Sequence, residues 1–245
     1  MESTVFQEEL KWINPNRLIK DGVEDPVADF FLVLGLIYND LKSLIFQFAQ
    51  VEKKLQAMTA RITTERGEYG GMKWHLERLM VGTMRELFEF LKSSGDVLET
   101  TEFAEIYKRL NSEEKSRWDV IASIAKGGVQ RDGAESDFTK IMVMIRGNLA
   151  FHYHQSPKVL KKGFIDFFRQ SPKQPWNEKA YFTTGGTMRD TRFYFADAAV
   201  QGAIGNQVSR MMSYDEYGRK LNVAIDNANF AIMALMKEFL RTRPA

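Results

Sequence analysis

Between Ile145 and His154 the chain reads Ile-Arg-Gly-Asn-Leu-Ala-Phe-His-Tyr-His, the densest gathering of chemically capable side chains in its 245 residues. A histidine ring titrates near neutrality and can pass a proton, while a guanidinium can hold an anionic group. Arg146 follows an apolar run, Ile141-Met-Val-Met-Ile145, where a charge needs a partner or a route to water. On an α-helix, Asn148 and His152 are four apart and share a face with Ile141 and Ile145. Arg146 and His152 are six apart, roughly 600° of rotation, which leaves them about 120° apart around the axis. A long arginine side chain, or a second subunit, has to bring the two groups to one substrate. The same residues also admit a structural use, in which Asn148 and His152 hydrogen-bond between helices and Arg146 reaches out to solvent.

Immediately downstream, Lys158, Lys161, Lys162, Arg169, Lys173, Lys179, Arg189 and Arg192 face only Asp166, Glu178 and Asp190. Trp176, Tyr181, Phe182, Phe193 and Tyr194 are interleaved with them. Cations and rings together suit a phosphate backbone with stackable bases, and they equally suit a solvated face whose aromatics serve the core. Other chemistries are poorly served. Cysteine is absent, which excludes a thiol nucleophile and a disulfide framework. The histidines are His75, His152 and His154, with no carboxylate at ligand spacing, so neither a metal nor another cofactor is expected. Glycine-rich stretches at 67–71, 127–133 and 185–186 lack the lysine and hydroxyl of a phosphate loop.

The 145–154 segment resembles a known pattern. An arginine, a nearby polar residue and a histidine four to six positions on, carried on a helix late in an all-helical bundle, is similar to the HEPN superfamily, especially members related to abortive-infection proteins. The matching residues are Arg146, Asn148 and His152, with Tyr153 as an adjunct. One departure is visible: the family's polar residue commonly follows the arginine directly, where this chain has Gly147. The resemblance implies an all-α homodimer whose motif helices meet across a cleft. It also implies a metal-independent endoribonuclease of toxin or phage-defence type, or an inactive, non-catalytic member that binds or scaffolds. A cognate antitoxin or regulatory protein is an implied partner. In such a site His152 would exchange a proton with the ribose 2′-hydroxyl or the leaving 5′-oxygen, Arg146 would hold the scissile phosphate, and Asn148 would orient substrate or imidazole.

The elements that must position these residues are helices. Leu34, Ile37, Leu41, Leu44, Phe48, Val51, Leu55, Met58 and Ile62 recur at steps of three and four, which predicts one helix over 26–65. Asp25-Pro26 starts it, and Gly67, Gly70 and Gly71 are expected to release the chain. Further helices are expected over 72–93, 101–110, 113–125, 137–154, from Ser156-Pro157 to Ser171-Pro172, 197–212 and 219–243, with 214–217 as a joint. The β-prone runs of 180–196 predict a small inserted hairpin. The expected fold is therefore all-α, an elongated bundle of long antiparallel helices in one domain over 1–245, with 1–24 as an N-terminal arm.

Composition bounds the rest. A net charge of +2 announces no global field toward nucleic acid. The greasiest run, Phe30 to Tyr38, is far short of the roughly 20 residues that span a bilayer, so no membrane partner is expected. A cysteine-free chain whose first ten residues carry three glutamates and no basic cluster fits the cytoplasm.

Overall fold

Asp25 and Pro26 start the longest helix as their chemistry requires. Asp25 Oδ1 accepts a hydrogen bond from the Ala28 N–H at 2.9 Å, and proline takes the first helical position. The structure, a computed structural model, describes residues 13–19, 22–60, 62–127, 136–150, 157–170, 173–174 and 176–243. In chain order the helices are α1 (Pro15–Leu18), α2 (Pro26–Ala57), α3 (Thr64–Ser93), α4 (Gly95–Leu98), α5 (Thr101–Arg109) and α6 (Ser112–Ala125). Then come α7 (Asp137–Ile145), which runs straight into a π-helical segment, Arg146–Ala150, and α8 (Pro157–Phe168), α9 (Tyr194–Met211) and α10 (Tyr214–Thr242). The class is all-α.

Three long helices form the frame. Lys73 of α3 pairs with Glu52 of α2 near one end, and Phe30 stacks on Phe90 at the other, so α2 and α3 are antiparallel. Phe31 stacks on Phe239 with ring centroids 4.2 Å apart, and Arg243 pairs with Asp25 at 2.8 Å, which sets α10 antiparallel to α2 as well. Of the α2 stripe, Leu34, Ile37, Leu41 and Val51 are buried, and Leu44 and Phe48 lie against the same core. Each fully buried side chain of this kind contributes about 1.5–3 kcal/mol of transfer free energy. Phe103 and Trp118 extend the aromatic cluster to α5 and α6.

Helices α8 and α9 approach more closely than ordinary side chains allow. A Cβ on Gly163 would run into the Ala199 carbonyl oxygen, and one on Gly202 into the Gly163 carbonyl oxygen. Only glycine fits at either place.

Four expectations are corrected. The helix expected over 26–65 stops at Ala57, and the glycines of 67–71 lie inside α3 rather than in a joint. The chain turns instead at 58–63: Thr63 caps α3 by accepting from the Arg66 N–H at 3.1 Å, and Arg66 Nη1 donates to Met58 O at 3.0 Å and Leu55 O at 3.4 Å, satisfying the carbonyls that end α2. Residues 214–217 form the first turn of α10, capped by Ser213, and are not a joint. The helix expected over 137–154 is α-helical over Asp137–Ile145 and π-helical over Arg146–Ala150, and 151–154 lie outside the described residues. The hairpin over 180–196 is reduced to one antiparallel bridge, Thr183 with Arg192. A 3-10 turn, Met188–Asp190, interrupts the intervening chain, and α9 begins at Tyr194. Tyr194 packs across Gly67 of α3, so tertiary contact overrides its β preference.

Candidate functional site

Arg146 stands where α7 becomes π-helical, and its guanidinium is half-buried. Its Nε and Nη2 both donate to Glu86 Oε1 of α3 at 2.7 Å, so one carboxylate oxygen fixes one edge of the fork. Glu86 stays accessible, and a phosphate reaching this arginine would meet its Nη1 edge.

The π-helical turn decides what can face what. Pairing shifts to i→i+5 over Arg146–Ala150, so the 120° separation calculated for an ideal α-helix does not apply through this stretch. A widened turn leaves carbonyls in need of donors, and Arg78 of α3 supplies one, with Nη1 donating to Leu149 O at 2.7 Å. The Asn148 side chain turns back and donates to Met144 O at 3.2 Å. Among the described residues nothing stands within 4 Å of where a Gly147 Cβ would be. His152, Tyr153 and His154 lie outside the described residues, and the distance from Arg146 to His152 is not part of this geometry.

Beside Arg78 sits His75, whose Nδ1 is 3.4 Å from Arg78 Nη2. The residue is exposed as a whole, yet crowding around the ring lowers its pKa; desolvation comes first, then the positive charges of Arg78 and Arg192, with Asp197 opposing them. His75 is therefore held toward its neutral form near the motif. Arg78 is one helical turn away, but Arg192, which adds to the effect, lies 117 residues further along the chain, and sequence spacing gives no sign of it.

The basic residues divide by location. Lys158, Lys161 and Lys162 stand on the exposed side of α8, and Arg169 follows its end. Lys173 is exposed and its Nζ donates to Phe168 O; Arg189 is exposed on the 3-10 turn. Arg192 differs from the others. It pairs with Glu68 at 2.7 Å and with Asp197 at 3.0 Å, against Gly71 of α3, so its charge is balanced locally and its role includes holding α9 to α3.

A cavity of about 870 Å³ opens where the start of α3, the end of α8, the chain at 176–183 and the start of α9 meet. Trp74, Phe168, Trp176, Tyr181, Phe182 and Tyr194 give it rings, and Gly67, Gly70 and Gly71 line its floor, Gly67 against the Tyr194 ring and Gly71 against Arg192 and Asp197. Leu55, near the end of α2, and Ile62, beyond it, belong to the stripe expected over 26–65 and line this space. The glycines looked like a chain break in the sequence. Their i, i+3, i+4 spacing was the signal for a shared helix face.

Among the described residues no group of three or more His, Cys, Asp or Glu is placed to hold a metal ion. No helix there is long and apolar enough to cross a membrane. Comparison of the chain with models of known families, with curated proteins and with solved structures gives no match.

Proposed function

We propose that this chain is a HEPN-like, metal-independent endoribonuclease of toxin or phage-defence type. The observation that supports it most is the π-helical turn over Arg146–Ala150, which falls on two of the three motif residues, Arg146 and Asn148. Such turns deform a helix locally and recur at functional sites. In this reading Arg146 is pre-positioned by Glu86 and takes a phosphate oxygen on its remaining edge. His152 removes the proton of a ribose 2′-hydroxyl, the 2′-oxygen attacks phosphorus, and the P–O5′ bond breaks as the 5′-oxygen takes up a proton. The products are a 2′,3′-cyclic phosphate and a 5′-hydroxyl, and DNA is spared because it lacks the nucleophile. Lys158, Lys161, Lys162, Arg169, Lys173 and Arg189 supply sequence-independent attraction for the strand. A homodimer brings a second copy of the motif to the cleft, and a protein partner restrains the activity.

A second reading is favoured by one observation. Arg146 and Arg192 both have carboxylate partners, which is what a non-catalytic helical binding or scaffold protein would keep. The deciding experiment is cleavage of a panel of single-stranded RNAs in the presence of chelator. His152→Ala should lower the rate by about a hundredfold or more, the usual scale for a general acid–base group, with helicity unchanged, and Arg146→Ala should cost a comparable factor. Loss of helicity in His152→Ala, with no RNA activity in the parent, leaves the scaffold reading.

A further inference from the structure

The cavity between α3, α8 and α9 is not the Arg146 site. Trp74, on its wall, lies one helical turn before Arg78 and twelve residues before Glu86, about 18 Å along α3. Two of its floor glycines are explained by packing. A Cβ on Gly67 would sit 2.6 Å from the Tyr194 ring, and one on Gly71 would collide with Arg192 and Asp197. Gly70 is not explained that way: among the described residues a Cβ there meets nothing within 4 Å, and glycine inside a helix costs about 1 kcal/mol against alanine. The space in front of Gly70 belongs to the cavity. On its rim, Trp176 and Phe182 leave 39% and 60% of their surface exposed, apolar area that a flat ligand would cover.

Charge narrows the ligand class. Among the described residues the charged lining groups are Lys179, Arg66, whose Nη1 already donates to Leu55 O and Met58 O, and Asp197, which is balanced by Arg192 at 3.0 Å. Net positive walls disfavour the ammonium ligands that aromatic cages otherwise take, and they favour an anion. The volume is within the usual range for small-molecule sites. Thr64, Thr183 and Gln201 add hydroxyl and amide groups that can pair with the edge of a heterocycle and that an acyl chain would leave unmatched.

We propose that this cavity binds a nucleotide, with its base stacked among the aromatic rings over Gly70 and its phosphate held by Lys179 and Arg66. The inference goes beyond the ribonuclease reading and does not depend on it. The nucleotide is either free or an unpaired residue of an RNA strand, and the two sources are separable. Calorimetric titration of the full chain with AMP, GMP, CMP, UMP, adenosine and a 2′-O-methylated octaribonucleotide, which cannot be cleaved, is the test. At least one phosphate-bearing probe should bind with Kd below about 1 mM. Mononucleotide binding identifies a free ligand, and binding of the octamer alone identifies a strand. Gly70→Trp, which puts an indole into the space in front of residue 70 where the base would stack, should weaken binding by about tenfold or more, and Gly70→Ala should change it by less than about twofold. Lys179→Glu should weaken AMP several-fold and leave adenosine unaffected. Binding by none of the probes, or undiminished binding by a Gly70→Trp protein of normal helicity, overturns the proposal. If Gly70→Trp does not fold, Phe182→Ala takes its place: the exposed ring is removed without touching the core, and unchanged affinity there overturns the proposal equally.

Discussion

At the scale of single residues, the chain holds charges where its fold makes them useful and costly together. Glu77 of α3 is 8% exposed, and its carboxyl is raised to about 7, by burial first and by Glu52 in addition, against the pull of Lys73. Tyr214 and Tyr217 of α10 face the same place, and the Tyr217 hydroxyl is pushed well up by burial and by Glu77. The folded chain thus keeps a proton on Glu77 that an unfolded chain releases near pH 4.5. The associated stability is complete below about pH 4.5, declines between 4.5 and 7, and is absent above. Its upper limit is about 3 kcal/mol. Glu77→Gln should match the parent at pH 5 and exceed it by roughly 1–3 kcal/mol at pH 8. Urea unfolding at both values measures this, and an identical pH dependence in both proteins would rule the account out. Arg146 was legible as a residue of interest because it interrupts an apolar run. Its partner Glu86 was not, since sixty residues of chain separate them.

At the scale of elements, helices were readable wherever a cap and an apolar stripe coincided. Asp25 before α2, the Asn111/Glu114 capping box of α6 and Ser136 before α7 all sit where hydrogen-bonding side chains precede a helical run. Glycines misled, because their meaning depends on what approaches them. Gly163 and Gly202 are required by the backbone contact of α8 with α9, whereas Gly70 has none of the described residues within 4 Å of a Cβ. Gly163→Ala and Gly202→Ala should each destabilise by about 1–3 kcal/mol or more, as overpacking does. Gly70→Ala should instead stabilise by up to about 1 kcal/mol. Thermal unfolding of the three variants checks the contrast, and a uniform loss across all three would show that α3 needs glycine at 70 for its backbone.

At the scale of the whole molecule, α2 buries one face and shows another. Leu32, Leu36 and Phe46 are 57%, 61% and 53% exposed, and they fall within about 80° of one another around the helix. A clustered apolar face of this kind is what a second copy would cover in the proposed homodimer. Sedimentation velocity should show a species of twice 28.3 kDa, and Leu36→Glu, a surface change worth less than about 0.5 kcal/mol to the fold, should shift it to monomer. A 28.3 kDa species throughout the accessible concentration range would reject the dimer.

The sequence by itself determined the all-α class, the Asp25 cap and the buried part of the α2 stripe, because these depend on periodicity and on hydrogen bonds only a few residues apart. It also marked Arg146 and Asn148 as residues out of keeping with their surroundings. Only the tertiary structure decided that Arg146 meets Glu86, that Arg192 is balanced by Glu68 and Asp197, and that 180–196 closes with one bridge before α9 begins. It alone turned a presumed glycine joint into the floor of a cavity. The Arg146–Glu86 and Arg192–Glu68 pairs join side chains 60 and 124 residues apart, and no local pattern encodes which distant group will arrive opposite a given helix face.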